Sequence, residues 1–78
     1  MNTEIKTEVM NKFVDLGPQK EFVTISISSE LTGEDICGGN FIRPTEADIE
    51  DALNRWVCFL RGWHPDSVKI RVVAPCIE

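Results

Sequence analysis

Hydrophobic positions along the chain follow two different periods. Between Asn2 and Leu16, Ile5, Val9, Met10, Phe13 and Leu16 fall at near-helical spacing, with Glu8 and Lys12 four residues apart on the other side. The spacing predicts a short N-terminal helix that Gly17-Pro18 stops, although Val9, Val14 and two early threonines also suit a strand. From Glu21 to Ser29 the period changes to two. Val23, Ile25 and Ile27 alternate there with Thr24, Ser26 and Ser28, which predicts a half-buried strand with one apolar face. Leu31-Thr32-Gly33-Glu34-Asp35 reads as a polar turn, and Ile36 to Arg43 as a returning strand that closes a hairpin. Gly38-Gly39-Asn40 in its middle predicts a bulge or an interruption, and Pro44 ends it.

The strongest local pattern runs from Thr45 to Arg61. Thr45 followed three residues on by Asp48 forms a capping-box-like start, and Glu46 and Asp48 lie in the positive first turn. Ile49, Ala52, Leu53, Trp56, Val57 and Leu60 then make one continuous apolar stripe, with Glu50, Asp51, Asn54, Arg55 and Arg61 facing away. Gly62 suits the left-handed residue after the last turn, Trp63 the hydrophobic contact that follows it, and Pro65 blocks continuation. Ser67 to Ala74 alternates again, with Val68, Ile70 and Val72 on one side, and Pro75 closes it. The order α-β-β-α-β predicts an α+β fold. A small antiparallel or mixed sheet of about three strands packs against one long amphipathic helix, with the short N-terminal helix beside it.

Length and charge narrow the functional classes. A chain of 78 residues is read as a single domain, 1–78, with a thin core that a partner or a second copy would help to cover. The formal charge is −5, and the window from Glu30 to Asp51 carries −6 by itself, through seven acids against Arg43 alone. The acid excess argues against direct binding to DNA or RNA, which requires Lys and Arg on the phosphates. Lys20, Arg55, Arg61, Lys69 and Arg71 are too few to reverse that. Residues 1–6 show neither the basic start nor the apolar stretch of a secretory signal. The longest apolar run, Trp56 to Leu60, is far short of the ~20 residues of a membrane helix. Cys37, Cys58 and Cys76 are odd in number and widely spaced, which fits a reduced, cytoplasmic setting without a disulfide framework.

The residue types of known chemistry are not clustered along the chain. Cys37, Cys58, His64 and Cys76 lack the short ligand spacing of a zinc site. His64 is the only histidine and lies in a turn, with Asp66 two residues on. The carboxylate pairs Asp48/Asp51 and Glu46/Glu50 suit capping and solvation before acid-base work. Gly38-Gly39-Asn40 fits no phosphate-binding fingerprint and reads as a structural irregularity or as a mobile contact loop beside Phe41. No cofactor, no metal and no catalytic residue is expected. Trp56 reads as core, and Trp63 as an exposed anchor of the type enriched in interface hot spots.

In size, acidity and lack of a catalytic constellation the chain resembles the small inhibitors encoded by phages, including anti-CRISPR proteins, in character rather than in any motif. The leading expectation is a non-enzymatic protein that masks a basic site on a larger nucleic-acid-processing protein. Glu34, Asp35, Glu46, Glu50, Asp51, Phe41 and Trp63 are the candidate contact residues, and the carboxylates among them are expected to gather in one outward-facing acidic patch. The alternative is a small structural or assembly subunit, self-associating as a homodimer or joining a host complex through Phe41-Ile42 or the edge of the last strand. An enzyme centred on His64 or Cys58 ranks last.

Overall fold

The elements occur in the order α1 (Thr3–Asp15), β1 (Phe22–Ser29), β2 (Asp35–Ile42), α2 (Glu46–Leu60) and β3 (Val68–Val73), with a 3₁₀ turn at Pro65–Ser67 before the last strand. The computed structural model describes residues 3–17 and 21–74. Asn2, Pro18, Lys20, Pro75 and Cys76, which entered the sequence reading, lie outside the described residues.

The strands form one antiparallel sheet in the order β2-β1-β3. β1 is central, paired on both sides, and its burial alternates along its whole length. Val23, Ile25 and Ile27 point into the core, while Thr24, Ser26 and Ser28 point to the open face. Since β2 and β3 both pair with β1, the chain between them must cross the sheet, and α2 makes that crossing. One face is covered by helices. α1 lies over β3, α2 over β2, and the two helices touch each other.

α2 begins as its sequence dictates. Thr45 Oγ1 accepts the Asp48 N–H at 3.2 Å, and an Asp48 carboxylate oxygen accepts the Thr45 N–H at 2.9 Å, which completes a reciprocal capping box. Ile49, Ala52, Leu53 and Leu60 are buried, with Trp56 and Val57 half-buried at the margin of the stripe. Gly62 takes φ +86°, and the Trp63 N–H bonds back to the Leu60 carbonyl at 3.1 Å, so the chain turns off the helix where its glycine permits. α1 contributes Ile5, Val9 and Phe13, one side chain per turn, to the same core.

β2 departs from its expected form. Gly38, Gly39 and Asn40 pair cleanly with Ser26, Ile25 and Thr24, and no interruption occurs there. The irregularity lies earlier, between Ile27 and Ser28, where Cys37 and Asp35 are the paired residues and Ile36 is the extra one. The same finding removes the mobile-loop reading of Gly38-Gly39-Asn40 and of the Phe41-Ile42 segment, which is strand. Backbone pairing needs no side chain, and at Gly38 other atoms occupy the space a Cβ would take. A Cβ on Gly38 would stand 2.5 Å from the Ile25 carbonyl oxygen, and one on Gly39 would meet the Trp56 ring at 3.5 Å.

Candidate functional site

The acidic residues do not form one patch. Glu34 and Asp35 stand at the entrance of β2, whereas Glu46, Glu50 and Asp51 follow its exit. Eight residues of strand, roughly 23 Å at ~3.3 Å per residue, separate Glu34 and Asp35 from the connection that leads into α2. The group on α2 is also partly neutralised. Lys6 Nζ lies 4.0 Å from Glu50 and donates to Asn54 Oδ1 at 3.2 Å, Arg55 Nε lies 3.7 Å from Asp51, and Asp48 is engaged in the cap. Arg43, the one base in the acidic window, is held by Glu21 through Nη2 at 2.7 Å and Nε at 3.2 Å. Its backbone sits at φ +46°, a left-handed conformation that these two donors converging on one Glu21 carboxylate oxygen and the 2.7 Å bond from its backbone N–H to the Glu21 carbonyl help to hold.

The other group has a different setting. Glu34 and Trp63, remote in sequence, line one cleft of about 540 Å³ together with Glu30, Leu31, Asp66 and Ser67. The β1-β2 turn forms one wall and the connection from α2 to β3 the other. Both walls are pinned by backbone bonds, and they are joined where the Glu30 N–H donates to the Ser67 carbonyl at 2.9 Å. Within the turn, the Ser29 N–H reaches the Glu34 carbonyl and the Gly33 N–H reaches the Ser29 carbonyl, each at 2.8 Å. Gly33 supplies the φ of +78° that the turn requires. Ser29 Oγ, on a buried residue, accepts the Thr32 N–H, and Thr32 Oγ1 accepts the Glu34 N–H, both at 3.3 Å. On the opposite wall, the Ser67 N–H donates to the His64 carbonyl at 2.9 Å and the Asp66 N–H to His64 Nδ1 at 3.4 Å.

The result is a fixed recess with an uneven surface. Leu31 is 93% exposed at the tip of the turn, and half-buried Trp63 packs against the core from the other side. Glu30, Glu34 and Asp66 are exposed around them, and among the described residues no Lys or Arg lies within ion-pair distance of any of the three. The amides of Glu30, Thr32, Gly33, Glu34, Asp66 and Ser67 are occupied internally, so the recess offers mainly carboxylate acceptors and apolar carbon.

The remaining candidates go elsewhere. Asp35 lies around the corner on the open sheet face, lining a groove with Ser26, Ser28, Lys69 and Arg71, where the charges are mixed, and Glu30 borders this groove as well as the cleft. Phe41 is half-buried and meets Trp56 ring to ring at 6.1 Å with the planes tilted by 59°. Its partner is therefore the helix. Ile42, its neighbour, is the exposed residue, at 72%.

His64 acts as the cap of the 3₁₀ turn. Its Nδ1 also lies 3.6 Å from the Asp66 carboxylate, but in the neutral ring that nitrogen accepts the Asp66 N–H and cannot also donate. Among the described residues, no group of three or more His, Cys, Asp or Glu side chains is arranged to hold a metal ion. Nor is any helix there long and apolar enough to cross a membrane. Cys37 and Cys58 are free thiols; burial pushes Cys37 up to about 11, with Cys58 adding in the same direction, while Cys58 itself is exposed and points its Sγ at the Arg55 carbonyl, 3.7 Å away. At pH 8 roughly one Cys37 in a thousand is thus a thiolate. Timed alkylation with iodoacetamide, followed by peptide mapping, is expected to label Cys58 far faster than Cys37 in the native protein and at similar rates in denaturant. Because the unfolded thiol ionises nearer 9.0, this group favours the folded state below that pH, and its contribution is lost as the pH rises towards about 11.

Leu31, Glu30 and Asp66 were not among the contact residues expected from sequence. The available signal for Leu31 was a single large apolar residue inside an otherwise polar turn. Nothing local in the sequence marked Asp66 as a neighbour of Glu34. Comparison with known protein families, with characterised proteins and with solved structures finds no match, so the function must be argued from these residues alone.

Proposed function

We propose that this chain is a small acidic, non-enzymatic binding protein that masks a basic site on a larger nucleic-acid-processing protein, in the manner of phage-encoded inhibitors such as anti-CRISPR proteins. One observation carries the reading: Glu30, Glu34 and Asp66 surround Leu31 and Trp63 with no Lys or Arg of the described residues within ion-pair distance. Unneutralised carboxylates raise the rate of encounter with a basic surface, and an apolar centre supplies the contact that persists after encounter. The acids of α2 are satisfied within the fold to a greater extent and form a secondary, steering charge at the far end.

The test is a charge reversal at the cleft. The immobilised protein is used to capture partners from the native host at low salt, and the captured protein is assayed for nucleic-acid binding with and without the free inhibitor. Stoichiometric loss of nucleic-acid binding is expected, with weaker capture at high salt. The double variant Glu30→Lys, Glu34→Lys is expected to lose capture while keeping its circular-dichroism spectrum, since both positions are exposed. Retained capture by that variant, or a captured protein whose nucleic-acid binding is unaffected, overturns the proposal.

A further inference from the structure

We infer that the cleft between the β1-β2 turn and the α2-β3 connection receives a linear protein segment in which an Arg or Lys flanks a branched aliphatic side chain. The inference rests on the binding reading above and names what that site would recognise.

Three features select this class. The first is the available chemistry. The amides of Glu30, Thr32, Gly33, Glu34, Asp66 and Ser67 are all spent on internal bonds. Glu30, Glu34 and Asp66 add three carboxylates. An anion entering this recess would find these six amides already spent and three negative charges, whereas a guanidinium or ammonium would find acceptors on both walls. The second is Leu31. A leucine 93% exposed on a turn held by four hydrogen bonds cannot fold inward to hide, so its apolar surface stays in place for a partner. With Trp63 on the opposite wall it forms two sides of an apolar slot, and a Leu, Ile or Val side chain has the matching shape and chemistry. The third is size. A volume of about 540 Å³ holds one anchor side chain and the stem of a neighbouring Arg. It does not hold a folded element, which favours a linear segment.

The experiment uses the whole protein and three synthetic peptides of equal length and charge. One carries Arg-Leu-Arg, the second Arg-Ser-Arg, and the third Lys-Ser-Lys, which lacks both the apolar residue and the guanidinium. Binding is followed by NMR through the Leu31 methyls and the Trp63 indole N–H at low salt. The Arg-Leu-Arg peptide is expected to shift both signals and to bind roughly tenfold more tightly than either control, as burial of one aliphatic side chain implies. Leu31→Ser is expected to erase that preference, and its exposed position leaves the core unaltered. If all three peptides bind equally and Leu31→Ser changes nothing, the anchor is refuted while an acidic binding surface stands. If no basic peptide binds at this end of the molecule, both are refuted. If the Leu31 and Trp63 signals instead move with protein concentration in the absence of peptide, a second copy occupies the cleft and the inference falls.

Discussion

Replacing Ile27 by alanine is expected to remove about 2–5 kcal/mol of stability, the largest single loss anticipated for this fold. Ile27 is fully buried in the central strand, paired with Cys37 on one side and Ile70 on the other, and its side chain belongs to the core beneath the two helices. The two ladders hold β1 in place, so only the helices above it can settle towards the gap, and partial relaxation leaves a cavity. A protein of this length has roughly 4–12 kcal/mol in total at typical values per residue, so the variant stands near the folding threshold. A denaturant titration measures it directly, and the melting temperature is expected to fall by roughly 10 °C or more. Ser28→Ala, one residue on and directed to the open face, is the control and is expected to stay within about 0.5 kcal/mol. Equal effects at the two positions would contradict the assignment of faces.

The second large effect concerns two adjacent glycines that behave in opposite ways. Gly38→Ala places a methyl 2.5 Å from the Ile25 carbonyl oxygen and 3.2 Å from Ser26 Cα, both backbone atoms of the central strand. Neither can rotate away, so the hairpin must shift, at an expected cost of about 1–3 kcal/mol. Gly39→Ala places the same methyl 3.5 Å from the Trp56 ring, an ordinary contact, at a residue whose φ is not positive. There the loss of unfolded-state freedom dominates, and the variant is expected to gain about 0.4–1 kcal/mol. Thermal melts of the pair, read against the parent protein, check the sign as well as the size.

These glycines also show where sequence patterns lose their hold. Patterning rules treat Gly38-Gly39 as a break, yet the ladder passes straight through, because β1 provides the strand propensity and β2 needs only its backbone to pair. β1 and α2 were legible for the opposite reason. Val23, Ile25 and Ile27 carry their face in their own alternation, and Thr45 and Asp48 carry their cap in their own spacing, so no distant partner is needed to recognise either.

The candidate site was legible only in part. Glu34 and Trp63 were each recognisable as contact residues by type, but their meeting depends on Ser29 pairing with Val68 and on the Glu30 amide reaching Ser67. Those contacts join segments almost forty residues apart, and no local period encodes them. The expected single acidic patch failed on the same kind of information. Glu34 and Glu46 are close in sequence, but the strand between them is extended, and extension separates what a count of charges had combined.

The strand order has a bearing on how the molecule comes into being. β1 is synthesised well before β3, which follows it by almost forty residues and is one of its two neighbours. A growing chain can form the hairpin and α2 while one edge of its own central strand waits unoccupied, and the recess lined by Leu31 and Trp63 has no second wall until that strand arrives. Completion of the sheet and appearance of the proposed docking cleft are thus a single event, the pairing of β3 with β1.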